Sequence, residues 1–192
     1  SDLYEKVDGS MGILYWIDDV PYLATQRSFT NVKALKATEV LHRKYSNLFC
    51  NLNRNYTYLF EVIYKNTSIL VDYGDIEELI LIGVIDKDTG LSLPLQDTNV
   101  GFNVCKNYTS EYQYLENNLS KLESLDLENA EGFVVVYPDD TRVKIKFPTF
   151  KQKHSQLDLL LNQRLALGLT EMKIFPERYN NVFTQKDIRN LA

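Results

Sequence analysis

Glu131-Gly132-Phe133-Val134-Val135-Val136-Tyr137-Pro138-Asp139-Asp140-Thr141-Arg142-Val143-Lys144-Ile145-Lys146-Phe147 is the stretch from which the fold is read. Phe133 to Tyr137 is aromatic and β-branched, a composition suited to a pleated, half-buried surface. Pro138-Asp139-Asp140-Thr141 then supplies turn residues. Arg142 to Phe147 returns as a strand. Lys144 and Lys146 stand two apart and project from one face, while Val143, Ile145 and Phe147 point the other way into a core. The stretch predicts an antiparallel hairpin. A turn between Asp139 and Asp140 puts odd residues of the outgoing strand on one face with even residues of the returning strand. Glu131, Lys144 and Lys146 then converge, and a slip of one residue would break the arrangement.

Working upstream, Glu78 to Asp86 is almost continuously apolar and predicts a central strand buried on both faces. Asp86 to Gly90 reads as a turn. Tyr56 to Tyr64 reads as a strand, with a turn at Lys65-Asn66 and a continuation through Ile69-Leu70-Val71. Lys33 to Phe49 has helical spacing at Leu35, Val40, Leu41, Tyr45 and Leu48, with Thr30 or Asn31 as its cap. Gly12 to Ile17 and Tyr22 to Thr25 form a hairpin across Asp18 to Pro21, with Lys6 leading into its first strand. Residues 91–108 are ambiguous. Thr109 to Leu125 predicts a helix carrying Tyr112, Leu115, Leu119 and Leu122. Downstream, Thr149 to Leu167 predicts a helix with Leu157, Leu160, Leu161 and Leu165 on one stripe, ended by Gly168. One further short helix is expected in 169–192. Antiparallel hairpins and helices without strand–helix alternation argue for an α+β domain.

The chain has 192 residues, 44% hydrophobic and 24% charged, as an ordinary globular protein does. No apolar run approaches the roughly 18–20 residues of a membrane span, so no membrane partner is expected. Cys50 and Cys105 lie far apart without metal-ligand spacing, which points to a reducing cytoplasm. The net charge of −5 gives no global reason to expect nucleic acid. Charge is uneven, however. Arg142, Lys144, Lys146, Lys151, Lys153 and Arg164 face a single acid, Asp158, over that stretch, whereas Glu111 to Glu131 is strongly acidic. A basic strip on an acidic protein suits one defined phosphate-bearing ligand.

Near the start stands Glu5-Lys6-Val7-Asp8-Gly9-Ser10. Lys-x-Asp-Gly-Ser resembles the nucleotidyl-transfer motif of ATP-dependent RNA ligases, part of the covalent nucleotidyltransferase superfamily. Further matches follow in the family's order. Phe60-Glu61-Val62-Ile63 resembles the third motif, Glu131-Gly132-Phe133-Val134-Val135 the fourth, and Val143-Lys144-Ile145-Lys146-Phe147 the fifth. Val71-Asp72-Tyr73-Gly74 also looks like the same family. The likeness covers most of residues 5 to 150 and is nearest to the phage RNA ligase 1 family, whose members repair broken tRNA.

This resemblance implies antiparallel sheets flanked by helices with ATP between them. It implies that the Lys6 amine attacks the α-phosphorus of ATP and retains AMP, with Asp8 and Gly9 shaping its loop. Glu61 would contact the nucleoside, and Glu131, Lys144 and Lys146 would manage phosphate and a magnesium or manganese ion, Glu131 as its ligand. AMP would then pass to an RNA 5′-phosphate and be displaced by an RNA 3′-hydroxyl. The chemistry suits the grouping. A lysine amine is protonated at neutral pH and must lose its proton to act as a nucleophile, and nearby cations favour that loss. The same cations offset charge on the phosphates and the departing pyrophosphate.

The sequence departs from the family in two places. In Thr25-Gln26-Arg27-Ser28-Phe29 the basic residue falls one position late, at Arg27, which would then take the ATP-binding role. Phe150 stands where the phage enzymes carry a tyrosine, so a hydroxyl is missing. Ser10 follows the first motif where DNA ligases and capping enzymes usually carry arginine, which favours RNA. DNA ligase or guanylyltransferase is the alternative activity, and a noncatalytic RNA- or nucleotide-binding module is the alternative class. His42 and His154 read as surface or helix-end residues, and Tyr108, Tyr112 and Tyr114 as packing. Residues 1–150 are expected to form the adenylyltransferase core and 151–192 a helical extension that starts a further domain. Lys6 lies close to the first residue, so an incomplete ligase lacking upstream phosphate-binding residues is expected. The setting is the cytoplasm, or a host's for a phage-encoded enzyme, with no protein partner.

Overall fold

In a computed structural model that describes residues 1–65, 67–115 and 118–166, the Phe133–Phe147 hairpin forms, but its register differs by one residue from the expected one. Lys146 pairs with Gly132 and Lys144 with Val134, so even residues face even residues. The loop holds three residues, Pro138, Asp139 and Asp140, closed by Tyr137 N–H donating to the Thr141 carbonyl at 2.9 Å. Asp140 takes a left-handed φ of 66°, as the last residue of a three-residue hairpin loop does. The odd loop length sets the register.

The elements in chain order are β1 (Asp2–Lys6), β2 (Ser10–Ile17), β3 (Val20–Ala24), α1 (Val32–Tyr45), β4 (Tyr56–Ile63), β5 (Glu78–Asp86), α2 (Leu95–Thr98), β6 (Asn103–Val104), α3 (Leu119–Ser124), β7 (Gly132–Val136), β8 (Arg142–Lys146) and α4 (Pro148–Ala166). They make an α+β fold with a three-stranded sheet, β1-β7-β8, and a five-stranded sheet, β3-β2-β4-β5-β6. All pairings are antiparallel except β5 with β6. Lys6 does not lead into the first hairpin strand within one sheet. It ends β1 in the small sheet, and the chain crosses at Val7-Asp8-Gly9 into β2 of the large one.

Each sheet has its own core. In the large sheet Leu14, Leu23, Phe60, Leu79 and Leu81 pack with Val40 and Leu41 of α1. Burying each such side chain contributes roughly 1.5–3 kcal/mol. Asn31 caps α1 by accepting from the Ala34 amide at 2.8 Å. Leu35, expected on the buried stripe, is exposed, and Ala34 and Ala37 take its place. In the small sheet Leu3, Phe133, Val135, Ile145 and Phe147 pack with Leu115, Leu122 and Phe150. Pro21 sits in β3, an edge strand, where its missing N–H costs no ladder bond.

Other expectations are corrected. Strand β5 is buried on one face only, since Ile80 and Ile82 are half-buried. Residues 69–71 are a loop, not a strand. The expected helix over 109–125 is a short 3-10 turn at Gln113–Leu115 followed by α3, which Asn118 caps. Leu161 is 40% exposed. Gly168 and the helix expected in 169–192 lie outside the described residues. Among the described residues, no helix is long and apolar enough to cross a membrane.

Candidate functional site

Lys6 is the last residue of β1 and pairs with Gly132. A side chain cannot be placed at position 132. A Cβ there would lie 1.8 Å from the Ile145 carbonyl oxygen. Glu131, just ahead of β7, is 4% exposed and accepts Lys6 Nζ at 2.7 Å and Lys146 Nζ at 3.4 Å on the same oxygen, Oε1. Glu131 and Lys146 thus meet despite the changed register, because Glu131 precedes the strand and its carboxylate turns onto the Lys6 face. Lys144, by contrast, is exposed and forms no ion pair among the described residues.

The crossing segment is held from both sides. Asp8 is 2% exposed, and its Oδ2 accepts the amides of Ile69, Leu70 and Val71 at 3.0, 2.8 and 2.9 Å. The Asp8 amide donates to the Tyr73 hydroxyl at 2.7 Å. Burial raises the Tyr73 pKa above the ordinary tyrosine value, so the hydroxyl stays neutral. Asn129 then ties the same loop to the small sheet: its Oδ1 accepts the Asp72 amide at 2.7 Å and its Nδ2 donates to the Asp72 carbonyl at 2.8 Å. A closed ring results, running from Lys6 through Asp8, Tyr73, Asp72 and Asn129 to Glu131 and back to Lys6. Neither Tyr73 nor Asn129 was singled out as a site residue from the sequence. Tyr73 stood in a family-like string, whereas Asn129 carries no local signal.

Glu61, on β4, accepts the Gly9 amide at 3.1 Å on Oε1. A Cβ at Gly9 would lie 2.6 Å from the Val62 carbonyl oxygen, so this approach needs glycine. Burial pushes the Glu61 carboxyl up to about 7. Lys6 and the Gly9 amide pull it down, and Glu131 and Asp8 add to the rise. Lys6, Glu61 and Glu131 therefore meet where the two sheets approach.

Phe150, at the start of α4, is buried beneath Lys146, whose Nζ lies 5.3 Å from the ring centroid. Arg27 is not brought to this cluster. It is exposed on the turn that Thr25 and Ser28 close, and Gln26 instead reaches toward the site, with Nε2 at 3.5 Å from Met11 Sδ. Met11 pairs with Glu61 across β2 and β4. His42 donates from Nε2 to the Pro21 carbonyl at 2.7 Å, and His154 Nδ1 lies 3.3 Å from the Asp158 carboxylate. Among the described residues no group of three or more His, Cys, Asp or Glu side chains is placed to hold a metal ion.

No family model matches the sequence. A Thermovibrio ammonificans protein named "Putative RNA ligase" is 30% identical over 172 residues, covering 83% of this chain and 44% of that protein. The RNA ligase of Naegleria gruberi, solved with PPi, superposes with a TM-score of 0.61 at 18% identity, over 81% of this chain and 51% of that one. A mutant of the same ligase, solved with ATP and Mn, gives 0.60 at 17% identity over 80% and 51%. Over most of its length the chain is similar to this putative RNA ligase, and it has the fold of the Naegleria gruberi RNA ligase. It spans about half or less of the length of these ligases. Within this ligase fold the four motifs expected from the sequence fall on β1, β4, β7 and β8, and each sends a side chain to the sheet junction: Lys6, Glu61, Glu131 and Lys146.

Proposed function

We propose that this chain carries the adenylyltransferase chemistry of an ATP-dependent RNA ligase, with Lys6 as the nucleophile. The observation that carries the reading is one buried carboxylate oxygen of Glu131 shared by Lys6 and Lys146. It fixes a lysine amine and a second cation at one point, which is what transfer of a phosphate-bearing group needs. The Lys6 amine gives up a proton, and Glu131 Oε1 at 2.7 Å is the acceptor nearest to hand. The nitrogen then forms a bond to the α-phosphorus of ATP as the bond to the bridging oxygen breaks, and pyrophosphate leaves with that electron pair. Lys146 offsets charge on the phosphates, with exposed Lys144 beside it on the same face. Glu61 orients the nucleoside, Phe150 supports Lys146 from below, and Asp8 acts by position.

A divalent cation, Mg2+ or Mn2+, would supply further neutralisation of phosphate charge, and Glu131 is the carboxylate that would hold it, since a single carboxylate suits an ion that keeps most of its ligands as water and phosphate oxygen. In the full reaction AMP passes to an RNA 5′-phosphate and an RNA 3′-hydroxyl displaces it, with broken tRNA as the RNA. Residues 1–150 supply this core and 151–192 the start of a further part. A cytoplasmic setting fits the two free cysteines, Cys50 and Cys105.

The test is incubation with α-labelled ATP and magnesium followed by denaturing electrophoresis. Label stays on the chain and is absent from Lys6→Ala. Label retained by that variant refutes the reading. Labelling by GTP in place of ATP favours a capping-type transferase, and ATP binding without label favours a noncatalytic module.

A further inference from the structure

The face of the large sheet that carries Glu61 continues into an aromatic patch that adenylyl transfer does not use. Met11 pairs with Glu61, Ile13 with Leu59, and Tyr15 with Tyr22, so these six side chains share one face. Tyr15 lies about 13 Å along β2 from Met11, at the rise of a strand. The Tyr15 and Tyr22 rings stack at 5.7 Å with an interplanar angle of 29°. Phe29 meets Tyr15 edge-on at 4.9 Å and 77°. Phe29 is nevertheless 62% exposed. It is not loose, because the Thr25 amide donates to the Ser28 carbonyl at 2.9 Å and Asn31 Nδ2 donates to Thr25 Oγ1 at 3.0 Å, fixing the turn around it.

The Thr25–Lys36 stretch beside the rings carries charge of one sign. No acid occurs from Thr25 to Lys36 in a chain of net charge −5. Lys36 is engaged by Glu39 and Glu77. Arg27 and Lys33 are exposed and have no carboxylate partner among the described residues. The acids flanking this stretch in sequence are both engaged, Glu39 by Lys36 and Arg43 and Asp19 at the hairpin tip by Arg54 at 2.9 Å.

We propose that this patch binds a single-stranded segment of the RNA being sealed, with a base stacked on Phe29 and Tyr15 and phosphates held by Arg27 and Lys33. The identity of the polymer rests on the adenylyl-transfer reading. Rings flanked by unpaired cations match a single strand, since every base offers a face to stack and every phosphate a charge. The patch lies on the same sheet face as Glu61, so a strand seated there runs toward Lys6. A protein partner has no such need for unpaired cations beside each ring.

The test uses the whole chain without ATP and a fluorescent, 5′-phosphorylated single-stranded RNA of about ten nucleotides, within the usual site sizes. Anisotropy reads Kd, and the label assay on Lys6 is run in parallel. Phe29→Ala is expected to raise Kd about fivefold or more, and Phe29→Trp to restore it. Lys33→Gln is expected to reduce the salt slope of log K by about 0.7, one phosphate contact on a single strand. Both variants should adenylylate as the parent does. Parent-like RNA binding by Phe29→Ala with the Lys6 label intact overturns this inference and leaves the adenylyl-transfer reading standing. Weakened RNA binding with no label on any protein supports the patch and refutes the nucleophile. Failure of the parent to bind RNA overturns the inference, as does a shift of the chain from dimer to monomer on Phe29→Ala, which makes the patch a contact between copies.

Discussion

Removing the Asp8 carboxylate tests whether that residue holds the crossing segment together. One oxygen of a 2% exposed side chain accepts three consecutive amides, those of Ile69, Leu70 and Val71. Asp8→Ala leaves those donors without a partner, at about 1–3 kcal/mol for each that stays buried. The full cost is about 3–9 kcal/mol, and relaxation of the loop toward water brings it to the lower end. A domain is stable by only about 5–15 kcal/mol, so the loss is large. Asp8→Asn keeps an acceptor oxygen but loses its charge, and a neutral oxygen has only two lone pairs for three donors. It should cost about 2–4 kcal/mol, because bonds to a charged group are worth about twice the neutral kind. Urea unfolding followed by Trp16 fluorescence reads the change as a shift in midpoint at constant slope. Hydrogen exchange at the Ile69, Leu70 and Val71 amides reads it locally. If Asp8→Ala unfolds within about 1 kcal/mol of the parent and those amides stay protected, the clamp is not what holds this segment.

Three further outcomes follow from the same geometry. Gly132→Ala forces a Cβ to within 1.8 Å of the Ile145 carbonyl oxygen, so it should lose about 3 kcal/mol or more or fail to fold, read by thermal unfolding. Lys146→Ala should slow lysyl-AMP formation by roughly 10²–10³-fold with stability nearly unchanged, and an unaltered single-turnover rate would remove Lys146 from the phosphate site. Burial raises the Glu61 carboxyl from 4.5 to about 7, so the folded state favours its neutral form and stability falls as pH rises from 4.5 to about 7. Glu61→Gln should therefore gain on the parent by roughly 3 kcal/mol between those limits, and parallel pH profiles of the two proteins would contradict the shift.

Much of the local structure was legible in the chain. Phe133 to Phe147 reads as a hairpin because its β-branched residues, its Pro-Asp-Asp turn and its alternation agree with one another. Thr30 or Asn31 reads as a cap because a side-chain oxygen just before an apolar helical stripe can meet the amides that follow it, and the structure uses Asn31. These signals act over a few residues, so the sequence carries them whole. The four motifs were also readable in order, and with them the fold and the likeness to RNA ligases. Partners distant in the chain were not readable. Asp2 to Lys6 is a strand because β7 pairs with it. Ile69 to Val71 look strand-like but give their amides to Asp8. The left-handed Asp140 shifted the hairpin register by one residue, and only the packed site shows Glu131 reaching Lys6 and Lys146 regardless. Local propensity acts through neighbours along the chain, whereas register, burial and the meeting of Lys6, Glu61 and Glu131 depend on which distant backbone groups are free to pair, and that is decided only when the sheets close on each other.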